Sequence, residues 1–223
     1  MNQHHLFLPI FLLLFAEQNT SYASELSPFE QALANGELAN EGFRRSLHFV
    51  EGWMRHADPH TGLIPRNLKD RYWNAKDAAA DNYPFMVLTT WFTDKEQFEG
   101  RMKAILETEI ELTSRIDRLP DTFDFATQKV AQSSLAEVMF GSSEYIKDGL
   151  LPLTEWLGES SWHERMIGIL DDMWRHAPVV TPRGNIVSRN IEVNGEMLQV
   201  LSRVYWMTGE EKYLEWAIRL GDY

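Results

Sequence analysis

A single phrase occurs twice in this chain, and it constrains the fold more than any other feature. The first copy reads Trp53-Met54-Arg55-His56-Ala57, then Thr61-Gly62-Leu63-Ile64, then Arg66-Asn67. The second begins 120 positions later and reads Met173-Trp174-Arg175-His176-Ala177, then Thr181-Pro182-Arg183-Gly184-Asn185-Ile186, then Arg189-Asn190. Each copy ends an amphipathic helix in Arg-His-Ala, turns at Gly or Pro, and closes on Arg-Asn. Self-similarity at this scale is the signature of a fold assembled from like units. It predicts a ring or stack of helical hairpins.

Hydrophobic spacing supports helices through the rest of the chain. Phe43, Leu47, Val50 and Met54 recur on one helical face. That helix is expected to stop at Asp58-Pro59, because proline disfavours helical backbone in the residue before it. A loop follows to Trp73, then a helix over 75–93 with Pro84 as a kink. Asp94 is placed to cap a third helix, with Phe98, Met102, Ile105 and Ile110 as its buried stripe. Residues 119–127 read as a loop. A helix over 128–147 is expected next, then a shorter one carrying Leu153, Trp156 and Leu157. Ser160-Ser161 caps a helix with the stripe Trp162, Met166, Ile169 and Met173. The last pair covers 196–207 and 210–220, joined at Thr208-Gly209. No alternating strand pattern is visible, so one all-α domain over 24–223 is the economical reading.

Composition narrows the function. A formal net charge of -12 disfavours nucleic acid and anionic membranes, both of which need clustered Lys and Arg. With no cysteine there is no disulfide, thiol nucleophile or thiolate metal site. No His pair has ligand spacing and no phosphate-binding or dinucleotide motif is present, so neither a metal nor a cofactor is expected. Leu6 to Ala16 is apolar apart from Pro9, and Ser21-Tyr22-Ala23 offers small residues where a signal peptidase reads. Residues 1–23 therefore read as a signal peptide. Removing it leaves a secreted or periplasmic chain without a membrane anchor.

Two polar clusters carry the chemistry. The denser runs from Trp73 through Asn74, Lys76, Asp77, Asp81, Asn82 and Tyr83 to Phe85. Asp77 and Asp81 are four apart and share a helix face. The alanines at 78–80 remove bulk, so that a ligand or another helix can come close. Acidic residues in a first helical turn also simply complement the helix dipole. The second cluster is Arg189, Asn190, Glu192, Asn194 and Glu196, where Glu192 and Glu196 share a face. Asn194 reads there as a sugar-binding amide or as an N-cap. His56 and His176 hold equivalent places at helix C-termini, where the dipole favours them.

The hairpin Glu196 to Ala217, with Thr208-Gly209-Glu210-Glu211-Lys212-Tyr213-Leu214 at its turn, resembles the repeating unit of six-hairpin (α/α)6-toroid glycosidases. The 77–85 cluster is similar to the inner-helix starts that line the cavity of such toroids. The resemblance implies an all-α toroid of helical hairpins. This chain holds about seven long helices by sequence where a closed ring has about twelve, so it is expected to be the N-terminal part of a longer domain. It also implies a glycoside hydrolase acting on oligosaccharides, some bearing uronate, in the manner of unsaturated glucuronyl hydrolases. Asp77 and Asp81 would then be the general acid and base. Trp73, Tyr83 and Phe85 would be stacking walls, with Asn82, Asn190, Glu192 and Asn194 on hydroxyls and Arg66 or Arg189 on a uronate. Two alternatives stay open: a polysaccharide lyase using Tyr83 with Asn82 or Arg66, and a helical-repeat module that binds glycan or protein without catalysis.

Overall fold

The computed structural model describes residues 26–223; the expected signal peptide lies outside them. The described residues divide into two units, 26–42 and 43–223. The first contributes the opening turns of α1 (Pro28–Met54), with Phe29, Leu33 and Leu38 exposed. The second holds everything that follows.

That second unit is mostly helical, as the hydrophobic spacing required. α2 (Tyr83–Thr93) continues directly from a wide π-helical segment, Ala75–Asn82. α3 (Lys95–Gln97), a π segment Phe98–Met102 and α4 (Lys103–Thr113) form the next rod. α5 (Leu135–Glu144), a π segment Tyr145–Leu150 and α6 (Leu151–Leu157) form a third. α7 (Ser161–Arg175), α8 (Ile191–Thr208) and α9 (Glu211–Gly221) complete it. The 75–93 rod, the 135–157 rod and α8 pack side by side, and the helix after each one packs against it. The repeated phrase joins the end of one helix to the start of the next, α1 to the 75–93 rod and α7 to α8.

Several boundaries differ from expectation, each for a readable reason. α1 ends at Met54, ahead of Asp58-Pro59, and Asp58 instead ties the turn by accepting from the backbone N–H of His60 and Thr61. The stretch expected as a helix from 128 begins only at Leu135. Ser134 and Glu137 form a capping box there, each side chain bonding the other's backbone N–H. The rod then runs unbroken to Leu157 instead of stopping at Lys147. α8 likewise starts earlier than Glu196: Asn190, not Asn194, is its N-cap, accepting from Glu192 N–H at 2.8 Å. Asn194 lies inside the first turns and donates to the Ser188 carbonyl.

Short strands also appear in what read as loops. β1 (Tyr72–Trp73) pairs with β4 (Phe123–Asp124), which pairs with β5 (Lys129–Val130); β2 (Ser114–Ile116) pairs with β3 (Leu119–Pro120). All pairings are antiparallel. Strands of two or three residues cannot display a period of two, so hydropathy passes over them.

The core follows the predicted stripes closely. Trp162, Met166, Ile169 and Met173 are buried, as are Val50, Phe98, Met102 and Ile105. Ile110 and Phe43 stay exposed, and Leu47 and Met54 are only half-buried. The α4 stripe turns at Leu106, Glu109 and Thr113 instead, because Arg165 of α7 meets Glu109 there.

Candidate functional site

The 75–93 and 135–157 rods meet along a seam of small residues. A Cβ on Gly149 would lie 3.0 Å from the Ala79 carbonyl oxygen, and one on Gly141 would lie 3.3 Å from the Ala75 methyl. Ala75, Ala78, Ala79 and Ala80 are all buried. The alanine run thus admits a neighbouring helix and not a ligand. Both rods are π-helical here: Ala79 N–H reaches back five residues to the Asn74 carbonyl, and Tyr83 N–H to that of Ala78. Such widened turns often occur at functional sites. Pro84 and Pro152 follow the two segments, and each lacks the N–H that a regular turn would use.

Close approach of the rods gathers carboxylates that lie far apart in sequence. Asp77 and Asp81 come from the 75–82 segment, Glu144 and Asp148 from the 135–157 rod, and Glu196 from α8. The carboxylate oxygens of Glu144, Asp148 and Glu196 lie within 4.8 Å of one another. Lys147 is paired with Asp148 at 2.8 Å. Burial pushes Glu144 up to about 7, aided by the Glu196 charge and a hydrogen bond with Asp148, while Lys147 opposes the shift. Burial also raises Glu196, partly countered by the Ser143 hydroxyl. Asp81 is raised by burial first, then by the charges of Asp77 and Asp148.

Asp77 has different company. Its carboxylate is 2.9 Å from Arg66 Nε and accepts from the Asn74 amide, which caps the same helix. Arg66 also donates to the Tyr72 hydroxyl at 2.6 Å. Next to this group is a cavity of about 460 Å³ whose lining includes Arg66, Tyr72, Asn74, Lys76, Phe140 and Asn190. It opens at the N-terminal ends of the 75–93 rod, α5 and α8, where partial positive charge and N–H groups collect. The carboxylate trio is not part of its lining; Phe140 and Glu144 stand one turn apart on α5.

The residues named from sequence divide cleanly. Asp77, Asp81, Asn82, Arg66 and Asn190 sit around this region, with Asn82 donating to the Asp77 carbonyl. Phe85 is 57% exposed, one turn beyond Asp81, and offers a ring face. Trp73 and Tyr83 do not. Trp73 is in the core, edge-on to Tyr145, and Tyr83 is buried with its hydroxyl donating to the Met102 carbonyl and accepting from Trp162. Burial drives the Tyr83 hydroxyl above its ordinary value, and both its bonds are spent inside the core. Arg189 and Glu192 are exposed, and Asn194 is taken up by the Ser188 carbonyl.

Glu144 and Asp148 were not singled out from sequence. Their spacing of four was legible, but a helix ending at Lys147 left Asp148 outside and broke the pair. Comparison with protein-family models, curated proteins and solved structures finds no match to this chain. Among the described residues, no helix is long and apolar enough to cross a membrane.

Proposed function

We propose that this chain belongs to an exported carbohydrate-active enzyme of (α/α)6-toroid type, and that it hydrolyses glycosidic bonds. The observation that carries the reading is the pairing of Asp77 and Asp81, one turn apart: Asp77 is bonded to Arg66 and Asn74, which line a cavity of about 460 Å³, although neither carboxylate is itself in the lining. The two carboxyls have unlike surroundings, which is how acid and base roles separate. Asp81, pushed upward by burial and by its acidic neighbours, keeps a proton more readily and donates it to the departing oxygen. Asp77, held by Arg66 and Asn74, is the carboxylate that activates water. Phe85 supplies a stacking face. Lys76 and Asn190 in the cavity lining suit a polar, oxygen-rich ligand. Side-by-side inner helices backed by outer ones are also what a segment of a toroid would contain.

The test is turnover of a panel of acidic and neutral oligosaccharides, read as new reducing ends. Asp81→Asn is expected to lower kcat by about 10²–10⁴-fold, with Asp77→Asn similarly impaired. If both variants turn over substrate like the parent, the assignment is wrong. A product with new ultraviolet absorbance would instead mark a lyase, and binding without cleavage would mark a glycan-holding module. Tyr83, buried with its hydroxyl bonded to Met102 and Trp162, lends the lyase reading no support.

A further inference from the structure

Glu144, Asp148 and Glu196 remain outside the chemistry assigned to Asp77 and Asp81. Two independent observations bear on what they do. The first is convergence: three carboxylates from two helices place oxygens within 4.8 Å of one another, with Lys147 as the paired cation. Fully ionised, three carboxylates and one ammonium leave two negative charges. The second is burial without a partner. Glu196 is only 8% exposed, and among the described residues its Oε2 has no hydrogen-bond partner. A buried carboxylate oxygen left bare is costly, and folded proteins seldom keep one without using it.

We propose that Glu144, Asp148 and Glu196 bind one divalent cation of calcium size. An all-oxygen donor set selects hard cations over zinc or copper. Size discriminates further. Opposed ligands span ~4.6–5.2 Å around calcium but only ~4.0–4.2 Å around magnesium, which also holds its waters tightly. The trio's oxygens all lie within 4.8 Å of one another, which a calcium ligand sphere can span, and calcium sheds its waters for protein oxygens more readily than magnesium does. The cation supplies the counter-charge that Lys147 alone does not, and it bridges the 135–157 rod to α8. Its role is to fix those helices beside the Asp81 face, independent of whether the sugar chemistry is as proposed.

The experiment is calorimetric titration of the chelator-treated protein with calcium chloride and, separately, magnesium chloride, with melting temperature as a second readout. One calcium per chain is expected, with Kd on the order of 10–1000 µM. Melting should rise by roughly 5–10 °C at a hundredfold excess over Kd. Glu196→Gln and Glu144→Gln should each weaken calcium by about tenfold or more, since one charged ligand of three is lost. Circular dichroism would confirm that both variants fold. Glu159→Gln, which removes an exposed charge elsewhere, should bind like the parent. No calcium heat or melting shift up to millimolar concentration overturns the proposal. So does undiminished binding in both trio variants, and magnesium binding as tightly as calcium overturns the size argument. None of these readouts depends on turnover, so loss of the hydrolase reading would leave them intact.

Discussion

Two buried acidic centres in the second unit are built in opposite ways. At the α4–α7 contact, Glu109 is 2% exposed and fully answered. Arg165 reaches both its oxygens, Nη2 to Oε1 at 2.5 Å and Nε to Oε2 at 3.1 Å, and the Thr113 hydroxyl adds a third bond. Nearby Asp172 is solvent-inaccessible; burial acts to raise it, yet the hydrogen bonds from Arg118 outweigh that and hold it below its ordinary value. At the α5–α8 contact, Glu196 is nearly as buried and has the Ser143 hydroxyl and the Lys147 charge beside it, but two further carboxylates crowd it and one of its oxygens is bare. The same chain satisfies buried charge thoroughly in one place and withholds it in another. The first centre holds helices together by itself. The second has the form of a receptor.

The largest effect should come from breaking the satisfied centre. Arg165→Met leaves Glu109 buried and alone, which costs about 3–5 kcal/mol. Urea melts should show this as a lower midpoint with little change in slope. Adding Glu109→Leu to that variant should restore most of the loss, because an apolar pair of similar volume does about as well as an ion pair in such a site. If the double variant is no better than the single, Glu109 is not the reason for the loss.

A smaller loss should follow from forcing the seam apart. Gly149→Ala places a methyl 3.0 Å from the Ala79 carbonyl oxygen and 3.2 Å from Pro84 Cγ. Overpacking of this kind costs about 1–3 kcal/mol. It should also weaken the calcium heat, because Asp148 is the residue before Gly149. Gly100→Ala, with nothing near its added methyl, serves as the control and should be neutral or slightly stabilising.

The two centres should respond with opposite sign to one chemical change. Glu109→Gln removes the charge that Arg165 was matched to and should destabilise by about 1–3 kcal/mol. Glu196→Gln, measured in chelator at neutral pH, relieves crowded like charges and should be neutral or stabilising by about 1 kcal/mol. If both variants are destabilised alike, Glu196 is held by structural bonds and the contrast dissolves.

How much of this was legible beforehand depended on period length and on partners distant in sequence. The Trp162–Met173 stripe stood out because four large apolar residues share a face over three turns, and all four are buried. The caps at Asp94 and Ser160 were visible from local chemistry and hold as N-caps. The box at Ser134 and Glu137 carried the same kind of signal and marks the true start of α5. Placing that start at 128 and an end at 147 hid the Glu144–Asp148 pair. Asp77 and Asp81 were legible as a pair, but their neighbours are set by the Gly149–Ala79 approach, about 70 positions apart in sequence. Trp73 and Tyr83 read as walls because aromatic residues flanked a polar cluster; Trp73 points into the core from β1, and Tyr83 does so where the π segment runs into α2. Side-chain direction within a π segment departs from the ordinary 3.6-residue period, so spacing alone could not assign the face of Tyr83.

The smallest effect isolates solvent from geometry. Arg203 and Glu155 join α8 to α6 through two guanidinium–carboxylate bonds, Nε to Oε1 at 2.6 Å and a second from Nη2 to Oε2. This is the bidentate arrangement of Arg165 and Glu109, but both side chains are about a third exposed. Water screens the attraction and solvates either partner left behind, so Arg203→Ala should cost only ~0.2–1 kcal/mol. The loss should shrink further in about 1 M salt, where the screening length falls to about 3 Å, whereas the Arg165→Met penalty should hardly change. A salt-insensitive loss of several kcal/mol at Arg203 would show that bond geometry, not burial, ranks these pairs, and the bare oxygen of Glu196 would then lose its meaning as a mark of unfinished coordination.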